Sequence, residues 1–207
     1  MLLMELISNP IVFVLTLSAL IVSISIHEFA HAYVADKLGD PTPRYLGRVT
    51  LNPKAHLDPI GTLMLVFAGI GWGRPVPFNP INLANPKRDS ALIALAGPMS
   101  NFILAGVLSV IFRLMGGWSS IGFVSAFVFY TALYNIMLGI FNILPFHPLD
   151  GFKIVNGLLP HNLSIQWQQM QPYGMYILLF LVITRYIGYI IEPFLSFFMR
   201  LFGLTIG

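Results

Sequence analysis

The sequence predicts an all-α integral membrane protein. It reads as about four full transmembrane helices, a short re-entrant helix, a small β-ribbon and a C-terminal interfacial helix. Three observations carry this. Of 207 residues, 57% are hydrophobic and only 9% are charged, against about 25% charged in ordinary soluble domains. Four stretches reach the roughly 20 apolar residues that a bilayer crossing needs. Seven of the 11 basic residues (Lys37, Arg44, Arg48, Lys54, Arg74, Lys87 and Arg88) fall between the first two of those stretches. Such a composition excludes a soluble enzyme, a disordered tail and a nucleic-acid module. The net charge of +3 is scattered rather than gathered on a phosphate-tracking face.

Taken in order, the first span runs from Ile11 to Ala35. No Lys or Arg precedes Lys37, so the start lacks the basic region of a cleavable signal peptide. By the positive-inside rule its N-terminus faces out and residues 37–89 are cytoplasmic. Ile60–Trp72 is too short to cross, and because both of its flanks are cytoplasmic it dips and returns. Gly61, Gly69, Gly71 and Gly73 suit that path. Arg74–Leu83 carries three prolines among β-formers, so it reads as an edge strand or extended ribbon rather than a helix interior. The remaining spans are Ser90–Met115, Ile121–Leu144 and Tyr173–Ile191, and Pro193–Leu204 lies along the interface. No repeat divides the chain, so residues 1–207 are expected to form one membrane-embedded domain.

Ionisable groups inside an apolar helix are costly and point to function. His27-Glu-Phe-Ala-His31 lies in the first span between Ile-Val-Ser-Ile-Ser-Ile and Ala-Tyr-Val-Ala. A spacing of four puts both imidazoles on one face, one turn apart, where they can share a zinc ion. Glu28 sits beside them, able to act on a water without being a ligand. Lys37 is about 15 Å of helix further on, so the cluster lies below the cytoplasmic surface but within the bilayer. With no cysteine in the chain, any metal is held by His, Asp or Glu.

Zinc that hydrolyses usually has three protein ligands and one open position, so a third ligand is needed. Asp150 stands out, in the helix-breaking run Asn142-Ile-Leu-Pro-Phe-His-Pro-Leu-Asp-Gly151, which returns to the level of His27 and His31. His147 is its rival in the same run. His56 and Asp58 read as a cap on the short helix, with a lid contact as the alternative. His161 reads as a loop residue and Glu192 as a solvated helix boundary. Gly97-Pro-Met-Ser-Asn101 lets the second span pack closely, with Asn101 as an interhelical hydrogen bonder. Asn142, an amide within the third span, either holds a substrate carbonyl or water or joins two helices.

The His27-Glu-Phe-Ala-His31 and Asn142…Pro145…Leu149-Asp-Gly151 pair resembles the site-2 protease family of intramembrane zinc metalloproteases. The resemblance runs in the same order along nearly the whole chain. It implies a three-helix catalytic core in which His27, His31 and Asp150 bind one zinc ion, Glu28 is the general base and Asn142 positions substrate or water. It also implies hydrolysis of peptide bonds within or next to transmembrane segments of other membrane proteins. The PDZ and CBS domains of many relatives have no counterpart, and Asn52–Leu83 is longer than in compact relatives. An unwound substrate segment is expected to add as a strand along Val76 and Phe78. The small size points to a prokaryotic inner or plasma membrane, with the active site toward the cytoplasm. Two other readings stand beside this one: a membrane metal transporter, and a catalytically inactive relative that binds membrane helices.

Overall fold

A computed structural model describes residues 2–68 and 71–205 of the chain. Gly69, one of the glycines expected to shape the re-entrant turn, lies outside them. The described residues form ten α-helices. Before the first long span lies α1 (Leu2–Ser8). Three helices are long and apolar enough to cross a bilayer: α2 (Pro10–Lys37), α5 (Pro86–Leu114) and α6 (Phe123–Ile143). The protein is thus an integral membrane protein with three apolar spans, or four if a bent pair near the C-terminus counts as one.

Each long helix starts where the sequence offers a start. Asn9 accepts a hydrogen bond from the Val12 N–H, and Pro10 takes the first turn, where its missing N–H costs nothing. Pro86 does the same for α5, while Asp89 in its first turn accepts from the Asn85 N–H at 2.8 Å. The third span, α6, ends at Ile143 just before Pro145. The chain then turns into the short helix α7 (Asp150–Leu158), so that Asp150 sits in a first turn. This start is tucked against the end of α6: a Cβ on Gly151 would run into the carbonyl oxygens of Ile143 and Leu144. In the bundle, α5 packs against α2, α6 and α7, and α2 packs against α6. Phe112, Ala105, Ala132, Ile136 and Ile140 fill the core between α5 and α6.

Three expectations need correction. The span expected over Tyr173–Ile191 is not one helix. It is α9 (Gln171–Ile183) followed by α10 (Tyr186–Leu201), bent by 82°. The break falls at Arg185, which takes a left-handed conformation with φ 62°. The piece expected to begin at Pro193 is instead the second half of α10, with Pro193 and the exposed Glu192 inside that helix. Between α7 and this pair runs α8 (His161–Gln169), so His161 opens a helix rather than sitting in a loop.

The β-ribbon is absent as well. Among the described residues there is no strand, and the one antiparallel bridge joins Leu57 to Gly73. The reason is a shortage of donors: Pro75, Pro77 and Pro80 contribute no N–H, and the N–H groups of Arg74, Val76 and Asn79 bond to other partners. Residues 74–79 are an extended strap that runs into a 3-10 turn over Pro80–Asn82. Between α2 and the strap come α3 (Thr42–Tyr45) and α4 (Pro59–Ala68). Asp58 caps α4, accepting from the Gly61 N–H at 2.7 Å. The Leu57–Gly73 bridge brings the chain back beside the start of α4, so this segment goes out and returns.

Candidate metal centre

Four residues apart on α2, His27 and His31 point their rings the same way, with Nε2 atoms 3.0 Å from each other. Asp150, from the first turn of α7, brings Oδ2 to 3.1 Å from the His27 Nε2 and 3.2 Å from the His31 Nε2. Both histidines are buried, and the three side chains form the group of donors able to hold one metal ion.

The second nitrogen of each ring decides what these atoms can do. The Nδ1 of His27 lies 2.7 Å from the Asn101 Oδ1, and that of His31 lies 2.7 Å from the Ile93 carbonyl oxygen. A carbonyl oxygen only accepts, so each Nδ1 carries the proton and each neutral Nε2 presents a lone pair. The Asn101 orientation is itself fixed. Its Nδ2 donates to the Ser23 carbonyl and to the Asn135 Oδ1, while the Asn135 Nδ2 donates to the Ser23 Oγ and the Thr131 carbonyl.

Two imidazole lone pairs and a carboxylate oxygen therefore meet at one buried point, and that oxygen has no hydrogen-bond donor. Three acceptors crowded together repel unless a cation lies among them. Tetrahedral zinc with bonds of about 2.0–2.1 Å spaces its ligands roughly 3.3 Å apart. The observed 3.0–3.2 Å needs only a slight opening. The donor set fits zinc. Room for it comes from α5, where a Cβ on Gly97 would lie 2.6 Å from the His27 Cε1 and would also strike the His31 ring.

The half-buried Glu28 faces the strap, and its Oε2 accepts from the Val76 N–H at 3.2 Å. A Cβ on Gly73 would lie 3.5 Å from the Glu28 Oε1. Phe78 packs with Val34 and Leu38 around Ala35, Leu83 and Ile93, and the Lys153 ammonium lies 5.1 Å from its ring centre. The structure thus draws Val76 to Glu28 and Phe78 to the end of α2.

Other candidates lie elsewhere. The Asn142 Nδ2 donates to the Leu138 carbonyl of its own helix. His147 is next to Gln171 at 3.3 Å and outside the donor group. His56 is fully buried and its Nε2 donates to the Thr50 carbonyl. Asn135 was overlooked in the sequence, although it is an amide in an apolar span as Asn142 is. Only packing shows which of the two faces α2. Arg48 reads in the sequence as one of several topology-setting charges, yet it is 4% exposed and anchors the strap.

Comparison with known proteins agrees with this chemistry. The profile of "Peptidase family M50" matches residues 114–184. "Putative zinc metalloprotease YwhC" of Bacillus subtilis is 40% identical over 184 residues, covering 86% of this chain and 84% of that protein. "Putative zinc metalloprotease Rip2" of Mycobacterium tuberculosis is 32% identical over 83% of this chain and 66% of its own length. "Zinc metalloprotease MJ0392" of Methanocaldococcus jannaschii is 29% identical over 75% of this chain, which spans 38% of it. No solved structure matches the chain. A His–His–Asp donor set gathered from α2 and α7, together with a relative 40% identical over 84% of its own length, places the chain in peptidase family M50, the site-2 protease family of zinc metalloproteases.

Proposed function

We propose that the chain hydrolyses peptide bonds within or next to transmembrane segments of other membrane proteins, as a single membrane-embedded domain spanning residues 1–207. The observation that supports this most directly is the depth of the donor set. His27 and His31 lie toward the C-terminal end of the apolar span α2, about 15 and 9 Å of helix before Lys37. A substrate that reaches them comes from the bilayer.

His27, His31 and Asp150 hold the zinc, each histidine kept in one tautomer by Asn101 or Ile93. When bound, the zinc ion supplies Lewis acidity that polarises a carbonyl and makes water a nucleophile near neutral pH. Glu28, the neighbour of His27, takes the proton of the attacking water and passes it to the leaving amine. Asn142, near the end of α6, positions substrate or water. A helix hides its carbonyls in its own hydrogen bonds, so the substrate segment unwinds first, with Val76 and Phe78 of the strap as the edge it meets. The basic residues between α2 and α5 put that strap and the mouth of the site on the cytoplasmic side of a prokaryotic plasma membrane. There α4 dips into the bilayer, while α10 runs beside α5 and α6 toward the opposite face, with Phe198 stacked on Phe102 and Phe202 beside Gly106.

The test is cleavage, in liposomes, of a single-span protein whose membrane segment is broken by a Gly-Pro pair, with zinc content measured alongside. Wild type is expected to hold one zinc per chain and to cut. Glu28→Gln keeps the zinc and loses cutting by about 10³-fold or more, whereas Asp150→Ala loses both. Full cleavage by Glu28→Gln would remove the base, and undiminished zinc in Asp150→Ala would remove the ligand set. A metal transporter would move zinc across the liposome membrane and would be indifferent to Glu28→Gln. Nothing in the geometry favours that reading, because the described residues present a single donor group rather than a path of them.

A further inference from the structure

The strap rests on a buried charge that the zinc chemistry leaves unused. Arg48 is 4% exposed. Its Nη1 donates to the Pro75 carbonyl at 3.0 Å and its Nη2 donates to the Arg74 carbonyl. The peptide unit just before these is held too, because the Arg74 N–H donates to the His56 carbonyl at 2.7 Å. Two residues further, the Val76 N–H meets Glu28. From Arg48 to Glu28 there is thus a continuous path through one short run of backbone.

We propose that Arg48 is a positioning residue for Glu28: its guanidinium fork fixes the Arg74 and Pro75 carbonyls, so the Val76 N–H holds the Glu28 carboxylate beside the metal donors. This rests on Glu28 being the base, as proposed above.

Three physical points carry it. An extended segment is ordinarily held by a ladder of backbone hydrogen bonds, but Pro75 and Pro77 deprive this one of alternate donors. Something outside the backbone has to fix it. Burying a guanidinium is costly unless its N–H groups are paired, and here the pairing falls on the two carbonyls that precede Val76. The geometry also requires arginine. Two adjacent carbonyls are reached by a rigid planar fork, whereas a lysine ammonium is a single point of charge. Consistent with this placement, burial lowers the Arg48 pKa from its ordinary value, and the negative charge of Glu28 is near enough to pull it the other way. The Arg48 Nε remains buried without an acceptor, so the residue gives up a hydrogen bond to sit where it does.

The experiment uses the full chain in liposomes with the single-span test substrate, and reads kcat per bound zinc, KM and zinc content. In Arg48→Ala, kcat is expected to fall about tenfold or more, the scale for losing charge-assisted hydrogen bonds. KM should change much less, and one zinc per chain should remain. Arg48→Lys should recover part of the loss. Val76→Pro deletes the N–H at the other end of the path, so adding Arg48→Lys to it should cost little more. That pair carries the test if Arg48→Ala does not accumulate. An unchanged kcat per bound zinc in the Arg48 variants, with only yield or melting temperature reduced, would overturn the proposal. So would losses that simply multiply with Val76→Pro. If Glu28→Gln itself still cuts, the assignment of the base has failed instead, whatever Arg48 does.

Discussion

Two parts of the molecule hold polar groups away from water, and they do it by different means. In the hub formed by α2, α5, α6 and α7, the second nitrogen of each histidine and the amides behind it are bonded from one rigid helix to another. Asn101, Asn135, Ser23 and the Ile93 carbonyl form a network in which each amide nitrogen donates to two acceptors. In the strap, the backbone has no helix or sheet of its own. It hangs from side chains: Arg48 at one end, Glu28 at Val76, and Asp40 at the other end, where its carboxylate accepts from the Asn79 N–H and the Asn82 Nδ2. The hub is pre-organised and suits a metal that tolerates little displacement. The strap is fixed by a few bonds, each replaceable, and suits the part of a site that a bulky substrate must pass.

The contrast breaks most sharply at Gly97. Alanine there is harmless to helix propensity, but its Cβ would stand 2.6 Å from the His27 ring and press on the His31 ring as well. Either α5 withdraws or both ligands rotate. Gly97→Ala is expected to weaken zinc binding by roughly 100-fold or more, since donor positions matter to about 0.2 Å. Metal analysis of the purified protein checks this. A full complement of zinc in that variant would mean that the hub yields as readily as the strap.

A smaller effect is expected one layer out. Asn101→Ala removes the acceptor that fixes the His27 tautomer and strands the amide of Asn135. Partners of this kind are worth about 10–100-fold in metal affinity. Competition with a chelator of known affinity measures it. The matching change in Asn142, which bonds only to its own helix, should leave zinc affinity within about twofold.

The same contrast explains what was legible in the sequence. His27, Glu28 and His31 are conspicuous because charge and imidazole in an apolar span need a reason, and because a spacing of four survives any tertiary detail of α2; Asp150 is conspicuous because a proline-broken helix end returns it to their level. The three long spans are set by length and hydropathy, so their observed limits lie within a few residues of the expected ones. Arg48 could not be read in this way. A basic residue in a cytoplasmic segment already has an ordinary explanation, and its partners at Arg74 and Pro75 are backbone atoms 26 and 27 residues away. Asn135 could not be singled out beside Asn142 for a related reason. Seven residues, almost two helical turns, separate them on one apolar helix, and which one faces Asn101 depends on how α5 and α6 pack. The break at Arg185 had no proline or glycine to announce it. The missing ribbon follows from prolines that were visible, because too few N–H groups remained for any partner strand.

The smallest effect expected is at Asp40, where the comparison can be tuned by pH. Burial pushes its carboxyl up, but hydrogen bonds from Thr42, Asn82 and Asn79 outweigh this and hold it below the ordinary carboxylate value. An acid depressed in the folded state contributes stability that is fully present above its unfolded pKa of about 3.9, and that stability is lost as pH falls through the lower folded value. Native-state hydrogen exchange, corrected for the intrinsic rate, should therefore show the Thr42 and Asn79 amides steadily protected above about pH 5. Protection should fall once the pH drops below about 4, while amides in the middle of α6 hold theirs. In Asp40→Asn the new Nδ2 points a donor at a donor, so protection at Asn79 should be weaker by about 1–2 kcal/mol even at neutral pH. The acid-dependent loss should also disappear. If Asp40→Asn kept the wild-type pH profile, another group would be holding that end of the strap. If the α6 amides opened together with Asn79, the strap and the hub would be one cooperative unit, and the distinction drawn between them would not survive.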